Sequence, residues 1–323
     1  MSRFRVALIA STIVISFLWS FRVFGQTAAS AQPSRMFAPY VDMTKLTSSL
    51  SQVQAASGIK TFTLAFIVTA NGCVPAWGGT TPITTDTTIA SGIAQIRQAG
   101  NDVIIAFGGY DGLELAQSCT DVSSLQTAYQ AVIDKYKVKI LDFDVEHTAI
   151  EDPASIDRRS QALKALSAAN SGLQINYTLP ATPSGLTDLS VNVIKSAVKH
   201  GTPVAIVNLM AMDYGSPVPI GAMGPNAIAA AASALCQLKS LGLNARVGIT
   251  PMIGVNDSAG ETFTLDDAQV VLNYAQANSN SVALLSFWSV GRDKGGCAGT
   301  VSPHCSGITQ RDWDFTRIFQ KFQ

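Results

Sequence analysis

The chain has 323 residues, of which 47% are hydrophobic and 14% are charged, and its 22 basic residues balance 22 acidic ones. This composition supplies a large apolar core and leaves no run of clustered Lys and Arg, so we expect no nucleic-acid partner. The length suits one α/β domain rather than necessarily two.

The first predicted element is an export signal. Two arginines among the first five residues precede an apolar run at 6–21, which is short and poorly flanked for a membrane span. Small residues at 27–31 fit a signal-peptidase site. We therefore predict a secretory signal at 1–31, a mature domain at 32–323 and an extracellular location. Because Arg22 interrupts the apolar stretch, an uncleaved N-terminal anchor is the alternative.

From residue 38 onward, short β-branched or apolar runs alternate with segments of helical period. Strands are predicted at 38–42, 61–68, 102–107, 138–145, 174–179, 204–210, 245–250 and 282–287. Helices are predicted between and after these strands, including 89–99, 124–136, 160–169, 193–200, 227–241, 265–277 and 314–322. Eight such pairs predict an α/β chain closed into a (β/α)₈ TIM barrel. A doubly wound open sheet is the alternative, but the chain lacks that fold's glycine-rich turn after the first strand.

The five cysteines are predicted to form two disulfides, because loop cysteines pair in an oxidising compartment. Cys297 and Cys305 bracket a short Gly-rich loop, and Cys73 and Cys119 each follow a predicted strand end. Cys236 lies in a helical run and is predicted as a buried free thiol. The spacing fits no zinc motif, so we predict no metal site and no cofactor.

The most informative segment is 139–147, in which polar and apolar residues alternate. In a strand, this alternation places Asp142, Asp144 and Glu146 on one face and the apolar residues on the other. A solvated acidic face is the alternative, but both faces of a parallel barrel are covered. Buried acids of like charge are costly, so the row is predicted to be catalytic. Glu146, nearest the carboxyl end of the strand, is the predicted proton donor.

The segment Leu141-Asp-Phe-Asp-Val-Glu146 resembles the D-x-x-D-x-D-x-E signature of family 18 glycoside hydrolases, the chitinases. Residues 106–109, Ala-Phe-Gly-Gly, are similar to the family's S-x-G-G, and residues 210–215, Met-Ala-Met-Asp-Tyr-Gly, to its M-x-Y-D. Phe287-Trp288 ends the eighth predicted strand, where the family places a tryptophan under the sugar. The matches follow the family's order over nearly the whole mature chain and are closest to bacterial-type chitinases with a bare catalytic domain.

The resemblance implies a glycosidase that cleaves β-1,4-linked N-acetylglucosamine polymers with retention, by a substrate-assisted mechanism. Glu146 would protonate the departing oxygen, and the substrate's acetamide carbonyl would attack the anomeric carbon. Asp144, turned away from Asp142, would hold the acetamide N–H. The expected partner is a polysaccharide or oligosaccharide that contains N-acetylglucosamine, bound by a monomer without a stable membrane partner.

The resemblance also supplies substrate-binding candidates. Asp213 and Tyr214 would donate or accept hydrogen bonds at the sugar, and Trp288 would form the apolar floor of the subsite. Further candidates are Tyr40, Gly108, Gly109 and Met210, with Trp77 and Tyr110 as weaker ones for outer subsites. The alternatives are packing for Trp288 and Met210, and relief of crowding for the two glycines.

Several positions depart from the family pattern. Lys139 replaces the first Asp of the signature, Ala106 replaces the Ser of S-x-G-G, and Met212 stands at the Tyr of M-x-Y-D. His147 follows the acid and by parity is predicted to point outward toward the helices, with a place on the leaving-group side of the cleft as the alternative.

Two other functions remain open at this stage. An endo-β-N-acetylglucosaminidase acting on N-glycans would use the same acid and the same acetamide. A non-catalytic chitin-binding lectin would keep the barrel, but the presence of both Glu146 and Asp144 argues against it.

Overall fold

The computed structural model describes residue 1 and residues 35–323 of the chain. The predicted export signal, apart from its first residue, and the predicted start of the mature domain lie outside the described residues. Among the residues described, no helix has the length and apolar character needed to cross a membrane.

Eight strands follow one another around a closed ring, and every pairing between neighbours in the ring is parallel. They are β1 (Met36–Phe37 and Tyr40–Asp42), β2 (Thr61–Thr69), β3 (Asp102–Gly108), β4 (Ile140–Asp144), β5 (Gln174–Thr182), β6 (Val204–Met210), β7 (Arg246–Thr250) and β8 (Val282–Leu285). The first part of β1 pairs with β8 and its second part with β2, which closes the ring. The (β/α)₈ barrel prediction is confirmed.

Helices surround this barrel. They are α1 (Leu50–Ser57), α2 (Thr88–Gln98), α3 (Val122–Tyr136), α4 (Pro153–Ala169), α5 (Asp188–His200), α6 (Met223–Ser240), α7 (Leu265–Ala277) and α8 (Asp314–Phe319). The periodic pattern placed the starts of α4 and α5 too late. In the structure, the side chains of Asp152 and Thr187 accept hydrogen bonds from the first turn of each helix. A side chain in this position is worth about 1 kcal/mol and sets the helix start.

The barrel interior changes character along the strands. Near their amino ends lies an apolar layer, made by Ala38, Ile104, Ile206, Ala283 and Leu284. Residues further along β4, β5 and β6 on the same inward face are polar and buried, among them Asp142, Thr178 and Asn208. The barrel interior is therefore apolar at the amino ends of the strands and polar further along them, beneath the cleft.

The outward face of β4 packs under the helices, as its alternation predicted. Leu141 and Phe143 are fully buried, and the Phe143 ring lies 5.1 Å from the rings of Phe107 and Tyr129. Replacing a buried Phe by Ala in such a cluster costs about 3–5 kcal/mol. This packing keeps β4 in the register that turns its carboxylates inward.

The cysteine predictions are confirmed for the two disulfides, Cys73–Cys119 and Cys297–Cys305. Cys236 is free, as predicted, but it is exposed rather than buried. Helix α6 turns Ala230, Ala234 and Leu238 toward the barrel, and Cys236 falls on the opposite side of the helix. The apolar run alone did not reveal which face of this alanine-rich helix is covered.

Candidate active site

Asp142 lies in the middle of the barrel and is hydrogen-bonded at both oxygens. Only 2% of its surface is exposed. The Tyr40 hydroxyl donates to Oδ2 at 2.7 Å, and the Thr178 hydroxyl donates to Oδ1 at 2.8 Å. Burial raises the pKa of Asp142 to about 6, although both hydrogen bonds favour the charged form and lower it. This carboxyl is held in place and changes charge near neutral pH.

A chain of polar side chains continues from Asp142 across three further strands. Asn208 Nδ2 donates to Thr178 Oγ1 at 3.0 Å, and Thr250 Oγ1 donates to Asn208 Oδ1 at 2.8 Å. Every donor in this series points toward Asp142, and such chains polarise one another. Thr178 and Asn208 have the inward parity of predicted strands, but nothing in the sequence distinguishes them from other polar strand residues.

Asp144 contrasts with Asp142, because it is buried with an oxygen left free. Among the described residues, no hydrogen-bond donor reaches its Oδ1. Its pKa is raised well above the ordinary value by burial, and further by the negative charges of Glu146 and Asp142. An unpaired buried carboxyl oxygen costs folding free energy, and it is positioned to accept a hydrogen bond from a ligand.

Glu146 lies just beyond β4, because the strand ends at Asp144 and a short helix, His147–Ile150, follows directly. Its side chain is partly buried at the carboxyl end of the barrel. Burial, and to a smaller extent the charges of Asp111 and Asp213, raises its pKa to about 7. A carboxyl group with this pKa still carries a proton near neutral pH, as a general acid requires.

His147 is exposed, and its ring stacks on Tyr110 with 4.6 Å between the ring centres. The prediction that it points outward toward the helices is wrong. Parity stops applying where the strand ends, and His147 takes a left-handed backbone conformation with φ of 49°. Tyr110 is 64% exposed. The two rings form one aromatic surface beside Glu146.

Trp288 belongs to a cluster of rings at the mouth of the barrel. Its ring is stacked on Phe66 at 5.7 Å and lies 6.0 Å from the ring of Tyr40. The small side chains of Ala65 and Ala106 complete this cluster. Trp288 and Phe66 are only partly buried, so part of each ring faces the cleft. Phe66 was missed, because a single aromatic residue in a strand carries no distinguishing pattern.

The two glycines of the 106–109 segment have packing reasons of their own. A side chain at Gly108 would place its Cβ 2.0 Å from the carbonyl oxygen of Asp144, and one at Gly109 would lie 2.5 Å from the Phe66 ring. Both glycines have φ above 80°. The Gly109 N–H donates to that same Asp144 oxygen at 3.0 Å. These residues let the end of β3 approach β4 closely.

Asp213 lies in the loop after β6 and is partly buried. Its Oδ1 accepts a hydrogen bond from the Ser258 N–H at 2.7 Å. Burial raises its pKa, the Ser258 N–H lowers it, and the charge of Asp257 raises it again. The charge of Asp213 in turn raises the pKa of Glu146.

The remaining candidates are more buried than the sequence suggested. The hydroxyl of Tyr214 is buried with no hydrogen-bond partner among the described residues. Tyr40 uses its hydroxyl on Asp142, as described above. Trp77 is buried and donates to the Tyr136 hydroxyl at 2.8 Å. Met210 is the last residue of β6 and is partly buried.

Solved structures with this fold are found among chitinases. The catalytic domain of a hyperthermophilic chitinase from Pyrococcus furiosus is 36% identical, over 90% of this chain and 95% of that chain, with a TM-score of 0.81. The chain belongs to the family 18 chitinases. A family GH18 chitinase from the fern Peteris ryukyuensis, 15% identical, shares the fold over 89% of this chain and 99% of that chain, with a TM-score of 0.59. No protein-family model matches the chain.

Two curated relatives of this chitinase family member are longer proteins. The probable bifunctional chitinase/lysozyme of Escherichia coli is 37% identical over 321 residues, which are 92% of this chain and 35% of the relative. Endochitinase 11 of Metarhizium anisopliae is 36% identical over 289 residues, which are 83% of this chain and 54% of the relative. The chain thus spans about a third and about half of their lengths.

Two departures from the family 18 signature have a structural explanation. Lys139 is exposed, on the side of β4 opposite to Asp142, so its side chain is not under the site. Ala106 is fully buried and joins the cluster with Tyr40 and Ala65. The hydrogen bonds that hold Asp142 come instead from Tyr40 and Thr178.

Proposed function

We propose that this chain hydrolyses β-1,4-linked N-acetylglucosamine polymers, chitin and chito-oligosaccharides, with retention of configuration. The proposal rests on the different surroundings of three carboxyl groups at the end of β4. Asp142 is fully hydrogen-bonded, Asp144 keeps a free buried oxygen, and Glu146 has a pKa raised to about 7. A sugar-binding lectin has no need for a proton donor or for a row of buried carboxyls.

In the first step, Glu146 donates its proton to the glycosidic oxygen as the C–O bond to the anomeric carbon breaks. The carbonyl oxygen of the substrate's own acetamide forms a bond to that carbon, which gives a cyclic oxazolinium ion. The free oxygen of Asp144 accepts the acetamide N–H and stabilises the positive charge that develops. Asp142 and its hydrogen bonds keep negative charge close to this ion.

In the second step, Glu146 accepts a proton from water as the water oxygen attacks the anomeric carbon. The bond to the acetamide oxygen breaks, the acetamide is restored, and two inversions leave the configuration retained. The ring cluster of Trp288 and Phe66 supplies the apolar floor for the sugar ring, and Asp213 accepts hydrogen bonds from its polar groups. The exposed pair of Tyr110 and His147 suits a sugar on the leaving-group side.

The site supports action by a monomer on a polymer outside the cell. Two disulfides are typical of an oxidising compartment, which agrees with the predicted export signal at 1–31. N-terminal sequencing of protein recovered from the medium is expected to find a start near Gln32, and gel filtration is expected to give a monomer.

The decisive experiment incubates the purified protein with chito-oligosaccharides and, separately, with a high-mannose glycoprotein, and identifies products by mass and by anomeric NMR. We expect shortened N-acetylglucosamine oligomers whose newly formed ends are initially β. Release of glycans from the glycoprotein alone would assign an endo-β-N-acetylglucosaminidase. Binding of the oligosaccharides without any cleavage would assign a lectin.

A further inference from the structure

Glu261 is a buried carboxylate in the loops at the carboxyl end of the barrel. The reaction described above does not use it. Only 1% of its surface is exposed. It lies in the loop after β7, immediately before Thr262–Phe263, a short strand that pairs with Gly254–Val255. Its two oxygens accept hydrogen bonds from the backbone N–H groups of Tyr214 and Gly215, both at 3.0 Å.

These contacts are reciprocal between two loops. Glu261 in the β7 loop binds the two N–H groups that follow Asp213, and Asp213 in the β6 loop binds the N–H of Ser258, in the turn that leads to Glu261. The turn is closed by its own backbone bond, in which Glu261 N donates to Ser258 O at 3.2 Å. Each carboxylate therefore fixes the loop that carries the other.

The backbone at Asp213 has an uncommon conformation. Its φ of 49° is in the left-handed region, which residues other than glycine seldom adopt, although aspartate adopts it more readily than most. The two N–H groups held by Glu261 come directly after this residue, so their position decides where the Asp213 side chain points. Releasing them allows the loop to relax to an ordinary conformation.

We propose that Glu261 is a positioning residue that keeps the Asp213 carboxylate beside Glu146. The expected change in kcat rests on the proposed glycosidase function, whereas the structural role of Glu261 does not. The acidic groups that act on Glu146 are Asp111 in the β3 loop, Asp144 on β4 and Asp213 in the β6 loop. Of these three, Asp213 is the one that Glu261 holds.

The test compares the full-length Glu261→Gln and Asp213→Asn variants with wild type. Gln offers one acceptor oxygen and turns an amide N–H₂ toward the second N–H group, so one of the two contacts is lost. We expect kcat on chito-oligosaccharides to fall about tenfold to a hundredfold. Moving Asp213 away removes a charge that raises the pKa of Glu146, so the basic limb of the pH–rate profile shifts to lower pH. The double variant should shift that limb no further than Asp213→Asn alone.

Asp267→Asn is the matched control. Asp267 is a buried carboxylate that also binds backbone N–H groups, those of Gly224 and Thr264, but it lies at the start of α7. We expect it to lower the melting temperature while the pH limb stays in place. If Glu261→Gln merely lowers the melting temperature in the same way, its role is structural and the proposal fails. Glu261→Asp, which keeps the charge, provides the comparison if the Gln variant does not fold.

A second readout does not depend on turnover. NMR titration of selectively labelled glutamate carboxyls follows Glu146 directly, and its midpoint should move down in both Glu261→Gln and Asp213→Asn. An inactive wild type that still shows this shift would overturn the proposed function and leave the positioning role intact. An active wild type whose Glu146 midpoint is the same in Glu261→Gln would overturn the positioning role alone.

Discussion

Two regions of the molecule bring carboxylates to the same cleft by different means. Strand β4 holds Asp142 and Asp144 through its register with β3 and β5 and through the buried rings behind it. The loop after β6 holds Asp213 through contacts with another loop, chiefly those of Glu261 and Ser258. The first arrangement repeats along the chain with period two, whereas the second joins residues about 45 positions apart and has no period.

The difference assigns separate tasks to the two regions. A strand packed on both faces cannot easily move, so it suits the groups that must stay aligned while charge develops on the substrate. Loops tied by a few hydrogen bonds are less costly to alter, so they suit groups that adjust the proton affinity of the acid and the shape of the cleft. The predictions that follow test this division.

The largest expected effect is at the end of β4. Glu146→Gln keeps the shape of the side chain but cannot donate a proton, so kcat on chito-oligosaccharides should fall by about 10²–10⁴-fold. Oligosaccharide affinity, measured by calorimetry, should stay within about tenfold of wild type, because the ground state does not use the proton. An undiminished rate in this variant would show that the acid has been misassigned.

Asp144→Asn comes next, and here activity and stability should move in opposite directions. Loss of the negative charge should lower kcat by about 10²–10³-fold, since the charge is needed when the oxazolinium ion forms. Burial raises the pKa of this carboxyl, so a neutral side chain of the same shape should leave the melting temperature at pH 7 unchanged or higher. A large loss of stability would mean that the Asp144 charge supports the fold instead.

A third test concerns the loops after β2, β3 and β8, which contain the two disulfides. Cys73→Ser combined with Cys119→Ser opens a loop of 46 residues and should cost about 4 kcal/mol in the chain-entropy account. The pair Cys297→Ser and Cys305→Ser, with a separation of 8, should cost about 2.5 kcal/mol. Urea unfolding gives both values, and kcat should change little in either variant. The reverse order of stability would contradict loop closure as the cause.

The smallest expected effect concerns Tyr40, which donates a hydrogen bond to Asp142 on β4. Tyr40→Phe removes one hydrogen bond that lowers the pKa of Asp142, so this pKa should rise above about 6. The acidic limb of the pH–rate profile should then move up by about one pH unit. Tyr177→Phe, in a buried tyrosine on the outward face of β5, is the matched control and should leave that limb in place. Equal profiles for the two variants would exclude Tyr40 from this role.

Asp142 also affects stability with a definite sign. The pKa of an ordinary aspartate is 3.8, and that of Asp142 in the folded protein is about 6, so the folded protein binds the proton more tightly than the unfolded chain does. The stabilisation that the fold gains from binding this proton is therefore complete below about pH 4 and is lost as the pH rises through 6. Tyr40→Phe should extend this window upward, which urea unfolding at pH 5 and pH 7 measures.

The amino-acid sequence by itself determined the barrel, the inward row of carboxylates and the two disulfides. Strand alternation and the order of strands and helices are local properties of the chain, and Asp142, Asp144 and their apolar neighbours follow from them. Once the strands are placed, the positions of the loops limit which cysteines can pair. The strand was predicted at 138–145 and is Ile140–Asp144 in the structure, so Glu146 lies just beyond its end.

Only the tertiary structure decided what surrounds those groups. The hydrogen bonds from Tyr40 and Thr178 to Asp142, the stacking of His147 on Tyr110 and the exposed side of Cys236 depend on elements that are distant along the chain. Burial of Glu261 against the β6 loop is of the same kind. Such contacts arise because closing the barrel gathers eight loops at one end, and no local pattern records which loops meet.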